Sequence, residues 1–528
     1  MRRLSVISSL VLPLTLAAWL SPATAAGGHH PPAAAKDPSV AWGACPRLSE
    51  GAVPAGWQCG SLEVPLSWSA GGRQTVRLAL ARRPARGPGR KLGVIFGNPG
   101  GPGADGLGFT GLFQAVVGRA ADRYDLVTWD PRGVGHSRPS LRCGPEERME
   151  ELYTHQSDTR ADQGVREKVR TDQEAARLCR ANAAALVANM STMDTVRDLD
   201  RLRQALGRPK LDYIGFSYGT VIGAVYANRF PGSTGRMVLH GVVDSRLWFD
   251  DLPAFMHSDT VEGERTLRAA LRACDDHPGD CAFAGGANRK FDRLTDRLRP
   301  AGARVPDARI TWRRLVHDAL VVSTPGTTAR QAAEDLQAMY GALFHNRPYR
   351  QAQALPEMEV GLPPWGLPAP YRRDADGYSF NMYDSRNATL CLDFPAAPAD
   401  PGWWLRQVRG AERASKVFGA FRVLDNAVCA GWPSRQPRGY TYTGPWNRGS
   451  AHPLIVNERW DNATPLAWAR AMRAAMGPGA RLVVNEGFGH GAVTRCSVGH
   501  VATYFLTGRR PADGTVCRGG HGSPFTDG

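Results

Sequence analysis

Five residues, Gly215-Phe216-Ser217-Tyr218-Gly219, separate an apolar run (Leu211 to Ile214) from a stretch with helical character (Thr220 to Asn228). A chain that passes from strand to helix in so short a space has to turn sharply, which forces the central residue into crowded backbone geometry. Glycine on either side relieves the crowding. The turn also lifts the Ser217 hydroxyl clear of the sheet and aims it at the helix N-terminus. GxSxG arises often by chance; the strand–turn–helix setting gives this match its weight.

The surrounding chain supplies the sheet that such a turn needs. Apolar runs recur at Val94-Ile95-Phe96, Leu126 to Trp129, Leu211 to Ile214, Met237 to Leu239, Leu454 to Val456 and Leu482 to Val484, each followed by a turn or helix signal. Strands alternating with helical segments indicate an α/β protein, a mostly parallel sheet with helices on both faces. Two earlier segments, Leu62 to Leu66 and Thr75 to Leu80, read as an antiparallel edge. Ser191 is a plausible N-cap with Asp194 three residues on, and Val196, Leu199, Leu202 and Leu206 follow at helical spacing up to Gly207. Between residues 246 and 440 the strand–helix rhythm disappears. Amphipathic stretches (Val261 to Ala273, Ala329 to Leu343) and loops such as Leu362 to Gly366 mark a mostly helical cap, inserted into a core formed by 41–245 and 441–528.

A neutral serine hydroxyl is a poor nucleophile; it needs a base, and the base needs an orienting carboxylate. In the α/β-hydrolase fold these follow the serine in the order acid, then histidine. Trp460-Asp461-Asn462-Ala463-Thr464-Pro465 follows the run ending at Val456, which puts Asp461 at a strand's C-terminal end, where active-site groups gather in open α/β sheets. Gly487-Phe488-Gly489-His490-Gly491 follows the next run and offers His490 as the base. Asp244 also follows a strand and is an alternative acid. His500 falls within a later helix, and His240 reads as a core histidine with a partner. A tetrahedral intermediate needs backbone N–H donors. One is the Tyr218 amide; the other is expected from Asn98-Pro99-Gly100-Gly101-Pro102-Gly103, with Gly101 the choice and Gly100 in reserve. That loop lacks the GxxxxGK[ST] pattern of a phosphate-binding loop. Asp130 and Arg132, in Asp130 to Ser137, read as braces for the neighbouring loops. Nothing in the pattern calls for a metal or another cofactor.

The first 25 residues have the form of an export signal: Arg2 and Arg3, an apolar run from Leu4 to Leu20, and a small-residue site at Ala23-Thr24-Ala25. That run is short for a membrane span, so no stable membrane association is expected. Residues 26–40 read as a flexible leader, and the protein is expected to be extracellular. All ten cysteines lie beyond the signal, which makes disulfides the default there. Sequence leaves connectivity open; pairing of neighbours suggests Cys45–Cys59, Cys143–Cys179, Cys274–Cys281, Cys391–Cys429 and Cys496–Cys517. The formal charge of +16 comes almost wholly from scattered arginines rather than a basic run interleaved with aromatics, so a nucleic-acid partner is not expected.

With these residues in place, the chain resembles the secreted tripeptidyl aminopeptidases of actinobacteria, relatives of the proline iminopeptidases among the α/β-hydrolase serine peptidases. The matches are Asn98 to Gly103 (NPGGPG), Asp130 to Ser137 (DPRGxGxS), Gly215 to Thr220 (GFSYGT), Asp461 to Pro465 (D-x-x-T-P), Gly489-His490-Gly491, and the tail from Tyr504 to Cys517. The resemblance implies release of short peptides from free N-termini, with acidic cap residues holding the substrate ammonium. Glu357, Glu359, Asp384 and Asp393 are the candidates. His240-Gly241 departs from the Asp-Gly that relatives often carry. The same machinery would serve an esterase or amidase acting on a small metabolite.

Overall fold

The computed structural model describes residues 40–48, 51–70, 73–351, 371–373, 379–432, 440–448, 452–519 and 522–526. The expected signal and leader, and the loop from Leu362 to Gly366, lie outside them.

Nine strands form one sheet: β1 (Gln58–Pro65), β2 (Thr75–Arg83), β3 (Gly93–Asn98), β4 (Tyr124–Trp129), β5 (Leu211–Phe216), β6 (Thr234–His240), β7 (Leu454–Trp460), β8 (Arg481–Phe488) and β9 (Thr515–Cys517). Their order across the sheet is β9-β8-β7-β6-β5-β3-β4-β2-β1. Strand β2 runs antiparallel to β1 and β4, and every other pairing is parallel. The chain is an α/β protein of the expected class. Strands β3 and β4 are buried along their whole length, as parallel strands covered on both faces should be. Alternate side chains enter two separate cores. Phe96, Val127, Tyr213 and Leu239 pack on one face, while Ile95, Leu126, Ile214 and Val238 pack on the other.

Helices cover each face. Thr192–Ala205 and Tyr218–Arg229 belong to the first core, and Thr110–Val117 and Arg495–Thr507 to the second. Thr192–Ala205 begins where the sequence says it should, with a reciprocal capping box between Ser191 and Asp194. The short strand β9 was not among the apolar runs; it pairs with β8, and Cys496–Cys517 ties it to the last helix. All five disulfides suggested by proximity are formed, and they include every cysteine.

Between β6 and β7 the regular structure among the described residues is helical, apart from a three-residue ladder (Tyr371–Arg373 with Ser379–Asn381). Leu252–Asp276 and Thr327–His345 extend the two helices read from sequence. They share a core of their own, in which Leu271, Phe283, Phe291, Leu336 and Phe418 are buried. Among the described residues no helix is long and apolar enough to cross a membrane.

Arg132 fixes the antiparallel edge to the helical layer. Its guanidinium binds Asp198 through Nε (2.7 Å) and Nη2 (2.6 Å), and donates to the carbonyls of Pro65, Leu66 and Asn189. Both side chains are buried, at 1% and 0% exposure. Removing one partner of such a pair leaves the other charge buried and uncompensated. Arg132→Ala should therefore lower unfolding stability by about 3–5 kcal/mol, read as a drop in the urea midpoint at unchanged slope.

Candidate active site

Parallel register aligns the C-terminal ends of five strands on one rim. Asn98 pairs with Gly215, Phe216 and Val456 both with His240, and Trp460 with Phe488. The loops that follow carry Gly101, Ser217, Gly241, Asp461 and His490.

Ser217 has φ 52° and ψ −126°, the strained turn that the motif predicts, and it directly precedes the helix Tyr218–Arg229. Its amide donates to the His240 carbonyl at 3.0 Å. A Cβ on Gly215 would lie 2.2 Å from the Gly219 carbonyl oxygen, so only glycine closes the turn. The Asn98–Gly103 loop presses on the same turn. A Cβ on Gly100 would meet Phe216 O at 2.4 Å and Tyr218 N at 2.9 Å. The Gly100 amide donates to Asn98 Oδ1 (3.0 Å), whereas neither the Gly101 nor the Tyr218 amide has an acceptor among the described residues. Those two donors remain for a ligand oxygen. The preference for Gly101 over Gly100 thus has a physical basis: one amide is committed and the other is not.

Asp461 is wholly buried and its carboxylate is held from several directions. It accepts from the amides of Ala463 (2.7 Å) and Thr464 (2.8 Å) and from the Thr464 hydroxyl (2.8 Å). His490 Nδ1 lies 2.9 Å from Oδ2 and 3.1 Å from Oδ1, and 3.1 Å from Thr464 Oγ1. Thr464 is thus a third member of the clamp; the sequence reading quoted it only as part of the D-x-x-T-P match. The imidazole borders Gly241, whose Cβ position would be 3.1 Å from Cε1, and Ser217 borders the same turn through its bond to His240. Ser217 Oγ makes no hydrogen bond with a described residue, and an open hydroxyl–imidazole contact is common before substrate closes the site.

Burial works against a charged imidazole at His490. The Asp461 charge, its hydrogen bond and the more distant Glu458 outweigh that effect, and the pKa is raised above the ordinary value. Glu458 pairs with His240 (Nε2 to Oε1, 2.9 Å), each about 1% exposed, so His240 is the partnered core histidine expected. Asp244 caps the helix Ser245–Asp250 and pairs with Arg246, which leaves Asp461 as the acid beside His490. His500 lies within Arg495–Thr507. Asp130 accepts from the Leu107 and His136 amides, the bracing role expected of it.

The cap carboxylates need correcting. Asp384 is buried, accepts from the Cys143 amide and Tyr153 hydroxyl, and is pushed up to about 7 by desolvation. Asp393, also pushed up to about 7 by burial, accepts from the Thr192 amide, the Thr192 hydroxyl and Trp248. Thr192 in turn bonds the Tyr218 hydroxyl at 2.5 Å. Both aspartates therefore brace the fold, Asp393 directly behind the serine turn, instead of facing a substrate. Glu357 and Glu359 lie outside the described residues. A cavity of about 490 Å³ lies among the cap helices and the helix Asp162–Val187, and Asp172 and Asp425 line it. Neither Ser217 nor His490 is among its described lining residues, but its wall touches the loops that carry the site. Leu320, on the wall, accepts from Asn462 beside Asp461, and Arg386 N packs against Gly103 of the glycine loop. Two close Cys/His/Asp groups, Cys496-His500-Cys517 and Cys143-Cys179-Asp384, use disulfide-bonded sulfurs and so offer no thiolate to a metal.

Residues 94–271 match the family described as alpha/beta hydrolase fold, over the strands that carry the glycine loop and Ser217. The chain has the α/β-hydrolase fold. Residues 415–517, which carry Asp461 and His490, match the family described as TAP-like protein. Curated relatives include serine protease Hip1 of Mycobacterium tuberculosis, 28% identical over 494 residues (88% of each chain). Tripeptidyl aminopeptidase of Streptomyces lividans is 29% identical over 491 residues, covering 88% of this hydrolase and 84% of the relative. Carboxylesterase B of M. tuberculosis is 28% identical over 518 residues, covering 93% and 92%. The likeness to tripeptidyl aminopeptidases is therefore shown along most of the chain.

The raised His490 pKa gives a signed expectation. A base must be neutral, so kcat/KM of this hydrolase should rise with pH through that pKa. Asp461→Asn removes the charge that raises it. The inflection should then move to lower pH, and kcat should fall by about 10⁴-fold, measured with a chromogenic ester.

Proposed function

We propose that this hydrolase is a secreted serine exopeptidase that releases short peptides, tripeptides by the resemblance, from free N-termini through an acyl-enzyme. The observation that carries the reading is the Asp461–His490 clamp beside the strained Ser217 turn, with two uncommitted amides at hand. Ser217 attacks the carbonyl carbon while His490 takes its proton. The Tyr218 and Gly101 amides hold the oxyanion. Collapse of the intermediate expels the leaving amine, which receives the proton back from His490. Water then repeats the sequence and frees the acyl group. Asp461 and Thr464 fix the imidazole with Nδ1 towards the carboxylate.

The names of two relatives, a serine protease and a tripeptidyl aminopeptidase, favour peptides as substrates. Five disulfides suit an oxidising compartment and support the export reading. The cap cavity, whose wall residues Leu320 and Arg386 touch the Asn462 and Gly103 loops, is the described space for the peptide segment. There Asp172, which pairs with Lys168 through Oδ1 and whose Oδ2 has no hydrogen bond with a described residue, is the carboxylate we assign to a substrate ammonium. The relative named carboxylesterase B favours a second reading, an esterase for a small metabolite.

Tripeptide p-nitroanilides with free and acetylated N-termini, set beside simple p-nitrophenyl esters, separate the readings. The exopeptidase should cleave the free anilide at least about tenfold faster than the blocked one, the order expected for one charge-assisted hydrogen bond. Asp172→Asn should erase that ratio, while Ser217→Ala should cost about 10⁶-fold in kcat. Activity on esters alone rejects the peptidase.

A further inference from the structure

Among the described residues, seven aspartate, lysine and arginine side chains line the cap cavity, and six of them are paired. Asp158 binds Arg160 (2.7 Å), Asp172 binds Lys168 (2.5 Å) and Asp425 binds Arg386 (2.5 Å). The seventh is Arg313, which makes no ion pair and no hydrogen bond with a described residue. Of the two histidines on the wall, His155 pairs with Glu167. His317 is held down to about 4, chiefly by burial and then by Arg314, and is neutral.

Neither stability nor local structure accounts for a cation at position 313. It lies in the first turn of the helix Trp312–Val321, where the dipole disfavours positive charge and no acidic residue offsets it. Its neighbour Arg314 bears the same penalty but binds Asp335 (2.8 Å) and Asp318 (3.5 Å). Arg313 has no such return. Partial burial without a countercharge lowers its pKa to about 10, so it remains charged at neutral pH while poorly solvated. Much of the wall near it is apolar: Val316, Leu320, Val321 and Phe421. A half-desolvated guanidinium in such surroundings presents a planar fork of donors that matches a carboxylate.

We propose that Arg313 anchors a carboxylate of the substrate and makes this hydrolase selective for acyl groups bearing a negative charge away from the scissile bond. For a peptide the source is an acidic side chain in the released segment. The C-terminal carboxylate of a short peptide offers the same chemistry from the leaving side. The inference rests on acyl transfer at Ser217 but not on the acyl group being a peptide.

The test compares matched substrates differing by one charge: Ala-Glu-Ala against Ala-Gln-Ala p-nitroanilide, succinyl against butyryl p-nitrophenyl ester, and a tetrapeptide acid against its amide. The native enzyme should favour the acidic member of the anilide and ester pairs by about 10- to 100-fold in kcat/KM. In Arg313→Gln the ratio should fall to near one, with the neutral member cleaved at the native rate, and Arg313→Lys should keep part of the preference. If only the acid–amide tetrapeptide pair responds to Arg313→Gln, the anchored group is the C-terminus. Ratios unchanged in Arg313→Gln for all three pairs overturn the proposal, including when both members of each pair lose activity equally. If no peptide is cleaved while the esters are, the exopeptidase reading fails, and the succinyl–butyryl ratio alone decides the role of Arg313.

Discussion

The backbone of Ser217 is the constraint around which this hydrolase is built. A non-glycine residue at φ 52° and ψ −126° costs on the order of 1–3 kcal/mol and persists only where its surroundings over-determine it. Here they do so from four sides. The His240 carbonyl takes the serine amide, Gly215 lies so close to Gly219 that a Cβ there would clash, Gly100 presses on the turn, and Asp393 reaches Tyr218 through Thr192. The last of these comes from the helix Met382–Asp393 of the insertion. The cap therefore helps to hold the serine turn as well as shaping the space beside it.

Around that turn, charges are graded by burial. Asp461 is buried with every near donor aimed at it, while the His490 side chain keeps 27% of its surface exposed. The imidazole can thus be oriented from behind and still meet a ligand in front. The buried His240–Glu458 pair lies beneath, with Asn485 also donating to Glu458. The Glu458 charge also helps to raise the His490 pKa. The cap cavity differs in kind: its carboxylates are matched by cations, and one arginine is left over.

Much of the catalytic rim was legible because each element has a local cause. The serine turn needs glycines at fixed offsets, and strand-then-loop patterning puts Asp461 and His490 on adjacent loops in the chain order of the fold. Pairing neighbouring cysteines gave the disulfides because each pair closes a short segment, the longest separation being 38 residues. What escaped depends on tertiary context. Thr464 joins the clamp only once the Asp461 loop folds back on itself. Strand β9 has three residues, too few for a periodic signal, and exists by pairing with β8. Asp384 and Asp393 are acids of the cap, as the resemblance asks, but folding surrounds them with amide, hydroxyl and indole donors. Arg313 carried no signal at all, since an unpaired arginine is visible only when its neighbours are.

The central claim is that Ser217 is the nucleophile and His490 its base. Intact-protein mass spectrometry after treatment with a fluorophosphonate tests it directly. The account predicts one adduct per chain, mapped by peptide digestion to the segment containing Ser217, forming faster as pH rises through the His490 pKa and nearly abolished in His490→Ala. A single adduct on another serine, or labelling of Ser217 at the same rate without the imidazole, would contradict it.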